Sequence, residues 1–354
     1  MTTALDLAVV MLGRGLGGIE QAAVDYAESL AGQGHRVTAV IHPRSPLRTE
    51  YERLGIRAEG LTTLGEWDVL AARRLRAMLR RDATDAAITI GRRATVVTRR
   101  ALRALPTVRH IAKSPNYRLE HLVGLDHVVA ITADLRRALI ELGQPPERIT
   151  VIPNMVRVPD EGGLRPGRGL PGAPEAVIGA MGRFVAKKGF APFLRALALL
   201  RARGHVFHAV LGGTGEEEAA LCASARELDL EAAVEFPGWV QDREAFFRRL
   251  DVFCVPSLHE PFGIVVVEGF AHARAMVVTD SEGPREIAAH GQTALVVPRD
   301  DPERLADALA TLLENPELRV RLATAAYGEA RRTYDLPVVG RRISDLVGSV
   351  VGRG

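Results

Sequence analysis

Cysteine is nearly absent from the 354 residues: Cys222 and Cys254 are the only two. Both sit in apolar stretches, which predicts buried free thiols in a reducing compartment and excludes a disulfide-stapled secreted fold. No Cys-x-x-Cys or Cys/His cluster is present to suggest zinc. Lysine is almost as scarce. Lys113, Lys187 and Lys188 are the only ones, and every other basic residue is arginine. An adjacent lysine pair on that background hints at a place that wants a compact ammonium. Aromatic residues make up 5% of the chain, too few among the arginines for the stacking surface of a nucleic-acid binder. No apolar run is long enough to cross a bilayer, and the start lacks the basic-then-apolar pattern of a signal segment, so a cytoplasmic location is expected.

What is present is an ordinary globular composition, 47% hydrophobic and 25% charged, which excludes disorder for the bulk of the chain. The length suits two domains of about 150–200 residues each. Charge is uneven: residues 1–160 carry 23 basic against 17 acidic residues, and residues 161–354 carry 23 against 26. The basic half favours an anionic partner: a membrane surface, a phosphorylated acceptor or nucleic acid.

Leu5–Leu12 is an apolar run of the kind that forms a buried parallel strand. A glycine loop at Gly13–Gly18, a helix over Ile19–Gln33 and a strand at Arg36–Ile41 complete a βαβ unit. The alternation continues with a helix at Val69–Arg81 and strands at Asp85–Ile90, Thr107–Ile111 and His127–Ile131. A helix at Ala133–Leu142 and a strand at Ile149–Ile152 follow. Val158–Pro174, with Gly162, Gly163, Pro166, Gly167, Gly169, Pro171, Gly172 and Pro174 among its residues, reads as a linker. Strands then recur at Ala176–Met181, His205–Gly212, Ala233–Phe236, Val252–Val255, Ala275–Thr279 and Ala294–Val297, with helices between them and two more at Pro302–Glu314 and Pro316–Tyr334. The expected fold is α/β: two Rossmann-like, doubly wound parallel-sheet domains facing across a cleft. The boundaries are 1–160, a linker at 161–174, a second domain at 175–334, and a helical tail at 335–354 packing back toward domain one.

Gly13, Gly15 and Gly18 satisfy Gly-x-Gly-x-x-Gly between a strand and a helix, the setting of a dinucleotide fingerprint. That fingerprint also needs an acid at the end of the second strand, and here the strand ends Val40-Ile41-His42-Pro43. The loop still offers bare N–H groups at a helix start, suited to an oxygen-rich ligand; a tight turn without a ligand is the other reading. After the first strand of domain two comes Gly182-Arg183-Phe184-Val185-Ala186-Lys187-Lys188-Gly189. In a parallel sheet this position faces ligands. Arg183 as a fork and Lys188 as a point charge suit a diphosphate, although a solvated basic loop fits the same residues. The run His259-Glu260-Pro261-Phe262-Gly263-Ile264-Val265-Val266-Val267-Glu268 places a turn before a helix starting near Ile264, whose N–H groups favour an anion. Glu260 before the turn and Glu268 about one turn inside the helix can reach opposite ends of one ligand, or serve as surface charge.

Taken together these segments resemble the retaining glycosyltransferases of the two-domain GT-B fold, family four (glycosyl transferases group 1). The resemblance is carried in family order by Gly17-Gly18-Ile19-Glu20, His127–Thr132, Arg148–Asn154, Gly182-Arg183 with Lys188-Gly189, and Phe236–Val240. It continues through Pro256-Ser257 with Glu260–Gly263 and Glu268, and ends at Gly283–Ile287. It implies that Arg183 and Lys188 neutralise the leaving diphosphate and that the backbone of Gly263, Ile264 and Val265 binds the distal phosphate. Glu268 would hold the ribose and Glu260 the transferring sugar, with Gly17 and Gly18 close to donor phosphate or acceptor. His110 is the candidate for the family histidine that touches the sugar; a histidine packed at a strand end is the other reading.

The resemblance further implies same-face transfer of a hexosyl group from a nucleotide-diphosphate sugar, a substrate rather than a cofactor, to a carbohydrate or glycolipid acceptor such as a lipopolysaccharide precursor in cell-envelope synthesis. No divalent metal is expected, because Arg183 and Lys188 supply the positive charge. A sugar-nucleotide epimerase and a non-catalytic sugar-binding homologue are the alternatives. The helix Val69–Arg81 sets Ala71, Leu75, Met78 and Leu79 against Arg73, Arg74, Arg76, Arg80 and Arg81. Its basic face is either solvated or in peripheral contact with the inner, anionic membrane leaflet; a nucleic-acid partner is not expected. Two segments depart from the family pattern. Asn154-Met155-Val156-Arg157 stands for Asn-Gly-Val-Asp, and Arg274 stands for a glycine at a helix C-terminus, where a left-handed backbone would be costly.

Overall fold

A computed structural model describes residues 4–15, 17–160, 162, 164–169 and 175–352. Leu16 of the glycine loop and Gly163, Pro171, Gly172 and Pro174 of the expected linker lie outside the described residues. The chain divides into two compact units. One joins everything through Met155 to the segment from Leu336 onward, and the other is Val156–Asp335.

The first unit is a seven-stranded sheet built from β1 (Asp6–Met11), β2 (Arg36–Ile41), β3 (Arg57–Gly60), β4 (Ala86–Ile90), β5 (Arg109–Ser114), β6 (His127–Ala130) and β7 (Ile149–Val151). The order is β3-β2-β1-β4-β5-β6-β7, and every pair is parallel. Helices α1 (Gly18–Gly32), α2 (Arg48–Arg53), α3 (Val69–Arg81), α4 (Arg92–Leu102) and α5 (Ala133–Glu141) connect the strands. Side chains alternate across β1, so the unit has a core on each face. Leu7, Val9 and Met11 pack with Tyr26 and Leu30 of α1 and with Val339, Ile343 and Val347 of the C-terminal helix Leu336–Val351. Ala8 and Val10 pack with Leu75 and Leu79 of α3 and Val97 of α4. Close helix approach explains Gly340, where a Cβ would lie 2.8 Å from that of Ser29.

Helix α3 is capped by Asp68, which accepts from the Ala71 N–H at 2.9 Å. Its apolar stripe is core: Ala71, Leu75 and Leu79 are buried, with Met78 packed against the same cluster. Four exposed large apolar residues, Leu64, Trp67, Val69 and Leu70, lie just ahead of that stripe.

The second unit is a six-stranded parallel sheet of β8 (Ala176–Met181), β9 (Phe207–Gly212), β10 (Val234–Glu235), β11 (Val252–Val255), β12 (Ala275–Thr279) and β13 (Leu295–Val297), ordered β10-β9-β8-β11-β12-β13. Its helices are α6 (Phe190–Ala202), α7 (Glu218–Glu227), α8 (Arg243–Arg248), α9 (Ile264–Ala271), α10 (Pro284–Ile287), α11 (Pro302–Glu314) and α12 (Pro316–Glu329). Where the sequence pattern runs one helix to Tyr334, the α-helix ends at Glu329 and Ala330–Tyr334 is a π-helical turn. Cys254 is fully buried in this core, whereas Cys222, on α7, is only partly covered.

The described part of Val156–Gly169 packs onto this second unit, and Arg274 explains how. Instead of occupying a left-handed helix end, a conformation taken by Ala273 at φ 51°, Arg274 is 2% exposed. Its guanidinium donates to the carbonyls of His272, Arg168, Leu250 and Arg165 at 2.5–2.8 Å. Burial lowers its pKa to about 10, and the four carbonyls satisfy the charge there.

Candidate functional site

In an open parallel sheet, ligands meet the loops at the carboxyl ends of the strands. In the second unit, β8, β11 and β12 are neighbours, and their following loops carry the residues singled out from sequence. Arg183 follows β8 and is exposed. Its backbone is held from both sides: Gly182 N–H donates to Gly212 O, and Phe184 N–H to Thr214 O, each at 2.9 Å. A single 3₁₀ turn, Ala186–Lys188, then delivers Lys188. Gly189 ends that turn at φ +69°, where a Cβ would lie 2.0 Å from the carbonyl oxygen of Pro256. This close approach lets the Leu258 and His259 N–H groups both reach Lys187 O, at 2.9 and 3.1 Å. The β8 and β11 loops are thereby stitched together, and the Lys188 ammonium rests on the Glu260 carboxylate. Both side chains are mostly covered, at 20% and 13% exposure.

Gly263 caps α9 in the left-handed region, φ +91°, which is cheap only for glycine. The turn frees the N–H groups of Ile264 and Val265 at the start of the helix, where its dipole favours negative charge. Glu268, inside α9, is ion-paired with Arg243, the first residue of α8.

A third carboxylate supports this loop, and the sequence pattern did not single it out. Glu282, after β12, accepts from the backbone N–H of Glu260 at 3.0 Å and from Arg299 at 3.0 Å, and sits 3.2 Å from the His259 ring. Arg299 also donates to Leu258 O at 3.0 Å. Partial burial alone would raise the Glu282 pKa, but the N–H groups of Glu282 and Glu260, the His259 ring and Arg299 together hold it at about 2. Ionised at neutral pH, Glu282 therefore fixes the backbone of Glu260. Glu282 directly precedes Gly283, where a Cβ would collide with the Phe262 carbonyl at 2.2 Å, so the turn it sits in is tightly packed.

In the first unit the glycine loop follows β1. Glu20 turns back to accept from the Gly17 N–H at 3.2 Å, and a Cβ at Gly13 would lie 2.5 Å from its carboxylate. Gly13 and Gly17 are thus explained by Glu20, whereas nothing lies within 4 Å of a Cβ at Gly18. His110 is not at this edge. It is the second residue of β5, 4% exposed, with its ring 3.1 Å from Thr89 Oγ1. Burial, aided by Arg99, pushes its pKa down to about 3. It packs at the amino end of its strand, roughly 13 Å of β-strand rise before the carboxyl end at Ser114.

The sequence pattern described as glycosyl transferases group 1 matches residues 169–329, and that of the glycosyl transferase 4-like domain matches residues 17–155. The chain is 30% identical over 308 residues to the lipopolysaccharide core biosynthesis glycosyltransferase LpsE of Rhizobium meliloti, covering 87% of this chain and 88% of that one. Among solved structures, a glycosyltransferase from Rickettsia africae superposes with a TM-score of 0.87 at 16% identity, over 99% of this chain and all of the other. The Anabaena protein HepE, solved in complex with UDP, gives 0.85 at 20% identity over 98% of this chain and all of the other.

Proposed function

The chain belongs to the glycosyl transferases group 1 and has the GT-B fold, and from that premise we propose that it is a retaining, metal-independent hexosyltransferase. The donor is a nucleotide-diphosphate sugar, and the acceptor is a carbohydrate or glycolipid of the cell envelope. The observation that carries this reading is the pairing of Lys188 with Glu260 beside the left-handed start of α9. A cation meant for a diphosphate and a carboxylate meant for the sugar stand in contact, next to unpaired helix N–H groups.

Transfer breaks the bond from the anomeric carbon to the diphosphate oxygen and forms a bond to the acceptor oxygen. The acceptor proton passes to the departing phosphate. Negative charge grows on the diphosphate, where Arg183, Lys188 and the N–H groups of Ile264 and Val265 stabilise it. Glu260 orients the sugar hydroxyls and Glu268 the ribose hydroxyls; binding the ribose exchanges the Arg243 contact for a ligand contact. Gly18 leaves open space beside the glycine loop for the acceptor or donor phosphate. The acceptor class is supported by LpsE, named for lipopolysaccharide core synthesis. Peripheral contact with an anionic membrane belongs to the same reading. It is supported by Leu64, Trp67 and Leu70, exposed by 97, 70 and 63%.

A thermal-shift screen of UDP, GDP, ADP and their sugar conjugates, with and without Mg²⁺, tests the proposal. A ligand at 100 times its Kd adds about 2.7 kcal/mol. One base should shift the protein equally with and without Mg²⁺, and Arg183→Ala or Lys188→Ala should cut turnover by roughly 10²-fold. No shift by any nucleotide, or full turnover in both variants, would overturn it.

A further inference from the structure

The first unit carries a separate concentration of positive charge. A cavity of about 660 Å³ opens over the carboxyl ends of β1 and β4, with Arg14, Arg92 and Arg93 in its lining. Its two carboxylates are engaged: Glu66 pairs with Arg92 at 2.9 Å, and Glu20 accepts from the Gly17 N–H. Arg14 and Arg93 are exposed and have no ion pair among the described residues.

His42 does not line this cavity, but its ring lies close enough to feel the charges of Arg14 and Arg93, which do. It directly follows β2, whose Ile41 pairs with Met11, so it lies alongside Leu12, which lines the cavity. The ring is 3% exposed. Its Nδ1 accepts the Arg44 N–H at 3.1 Å, which leaves the proton of the neutral ring on Nε2. That Nε2–H is buried and has no acceptor among the described residues, a costly state for a donor unless a ligand oxygen completes it. Burial first, and then the nearby charges of Arg14, Arg44 and Arg93, keep the ring neutral by lowering its pKa. The arginines come from the loops after β1 (Arg14) and β2 (Arg44) and from the first turn of α4, which follows β4 (Arg93), and β1 lies between β2 and β4 in the sheet.

We propose that this cluster is a phosphate subsite of the acceptor: Arg14, Arg93 and Arg44 hold the phosphate oxygens, and the Nε2–H of His42 donates to one of them. Guanidinium forks suit a phosphate, and a buried neutral N–H adds directionality without further charge. The inference rests on the proposed glycosyl transfer, places the acceptor on the first unit, and narrows it to a phosphate-bearing molecule, either a soluble sugar phosphate or a lipid headgroup.

The test is calorimetric titration of the full chain carrying Arg183→Ala and Lys188→Ala, which removes the charges of the donor site. One probe is a hexose 1-phosphate; the other is dihexanoyl phosphatidylglycerol below its micelle concentration. One of them should bind, naming the source of the phosphate, and adding Arg14→Ala with Arg93→Ala should weaken it by about 10-fold or more. His42→Phe should weaken it as well, whereas His42→Gln, which keeps an N–H, should not. Binding of neither probe, or unchanged binding after the Arg14 and Arg93 substitutions, would overturn the proposal. Nucleotide binding judges the donor reading separately: Arg14→Ala/Arg93→Ala in the otherwise native chain should leave it unchanged, and an unchanged melting transition of the first unit shows that the variant is folded.

Discussion

At the scale of single residues, the donor loop depends on a carboxylate that touches no substrate in the proposed mechanism. Glu282 holds the Glu260 N–H and the Arg299 guanidinium, and its folded pKa of about 2 lies below the ordinary 4.5. The folded state therefore binds the Glu282 proton less readily than the unfolded chain. Its contribution to stability is fully present above pH 4.5 and is lost as pH falls toward 2. Glu282→Gln should cost about 1.5–3 kcal/mol at neutral pH, the range for hydrogen bonds to a charged group. The gap between variant and native protein should close between pH 4.5 and 2 in urea titrations at stepped pH. A gap independent of pH would show that Glu282 acts by packing alone. Its invisibility in the sequence is physical: the residues it serves lie 22 positions upstream and 17 downstream, and only the fold brings them together. His110 shows the converse. Residue type suggested a sugar contact, but the property that decides, depth along β5, is not written in residue type.

Among elements, those whose stability comes from burial were legible. Val252–Val255 and Ala275–Thr279 are wholly buried strands, and their apolar runs begin and end where the strands do. The edge strand β3, Arg-Ala-Glu-Gly, has no buried residue, so it carries no hydrophobic pattern. Its charges instead form the pairs of Arg57 with Glu59 and Asp82. Helix α4 starts after Gly91 with no side-chain cap, so the usual start signal was missing. For α3 the periodicity located the helix correctly but left open what its faces meet. The apolar face meets the sheet, which leaves the basic face for the proposed membrane contact, and Leu64, Trp67 and Leu70 at and just ahead of the helix start add exposed apolar side chains beside it. Leu64→Ser, Trp67→Ser and Leu70→Ser together should sharply reduce sedimentation with anionic vesicles at low salt, while the melting temperature stays close to native because these side chains are exposed. Sedimentation equal to that of the native protein would remove this segment from the membrane proposal. Arg100, stacked over Trp67 and donating to its carbonyl at 2.8 Å, would then have only a structural part.

For the whole molecule, the order of the chain makes the first unit dependent on completion of the second. The chain leaves the first unit at Met155, builds Val156–Asp335, and only then returns. The returning helix supplies Val339, Ile343, Leu346, Val347 and Val350 to the first unit's core, and Ser344 bonds His35 at 2.8 Å. Five buried aliphatic side chains at about 1.5–3 kcal/mol each are comparable with the entire stability of a domain, about 5–15 kcal/mol. A chain ending at Asp335 should therefore keep the second unit and lose the first. Calorimetry should show the transition of the second unit still raised by the donor nucleotide, with no cooperative transition from the first. Limited proteolysis should clear residues before Met155 while sparing Val156–Asp335. Glycosyl transfer should vanish although nucleotide binding remains, because the proposed acceptor groups at Arg14, His42 and Arg93 lie in the lost unit. If the truncated protein instead melts with both transitions and protects its N-terminal half, the sheet with α1 to α5 is self-sufficient, and the C-terminal helix only covers a core that already stands.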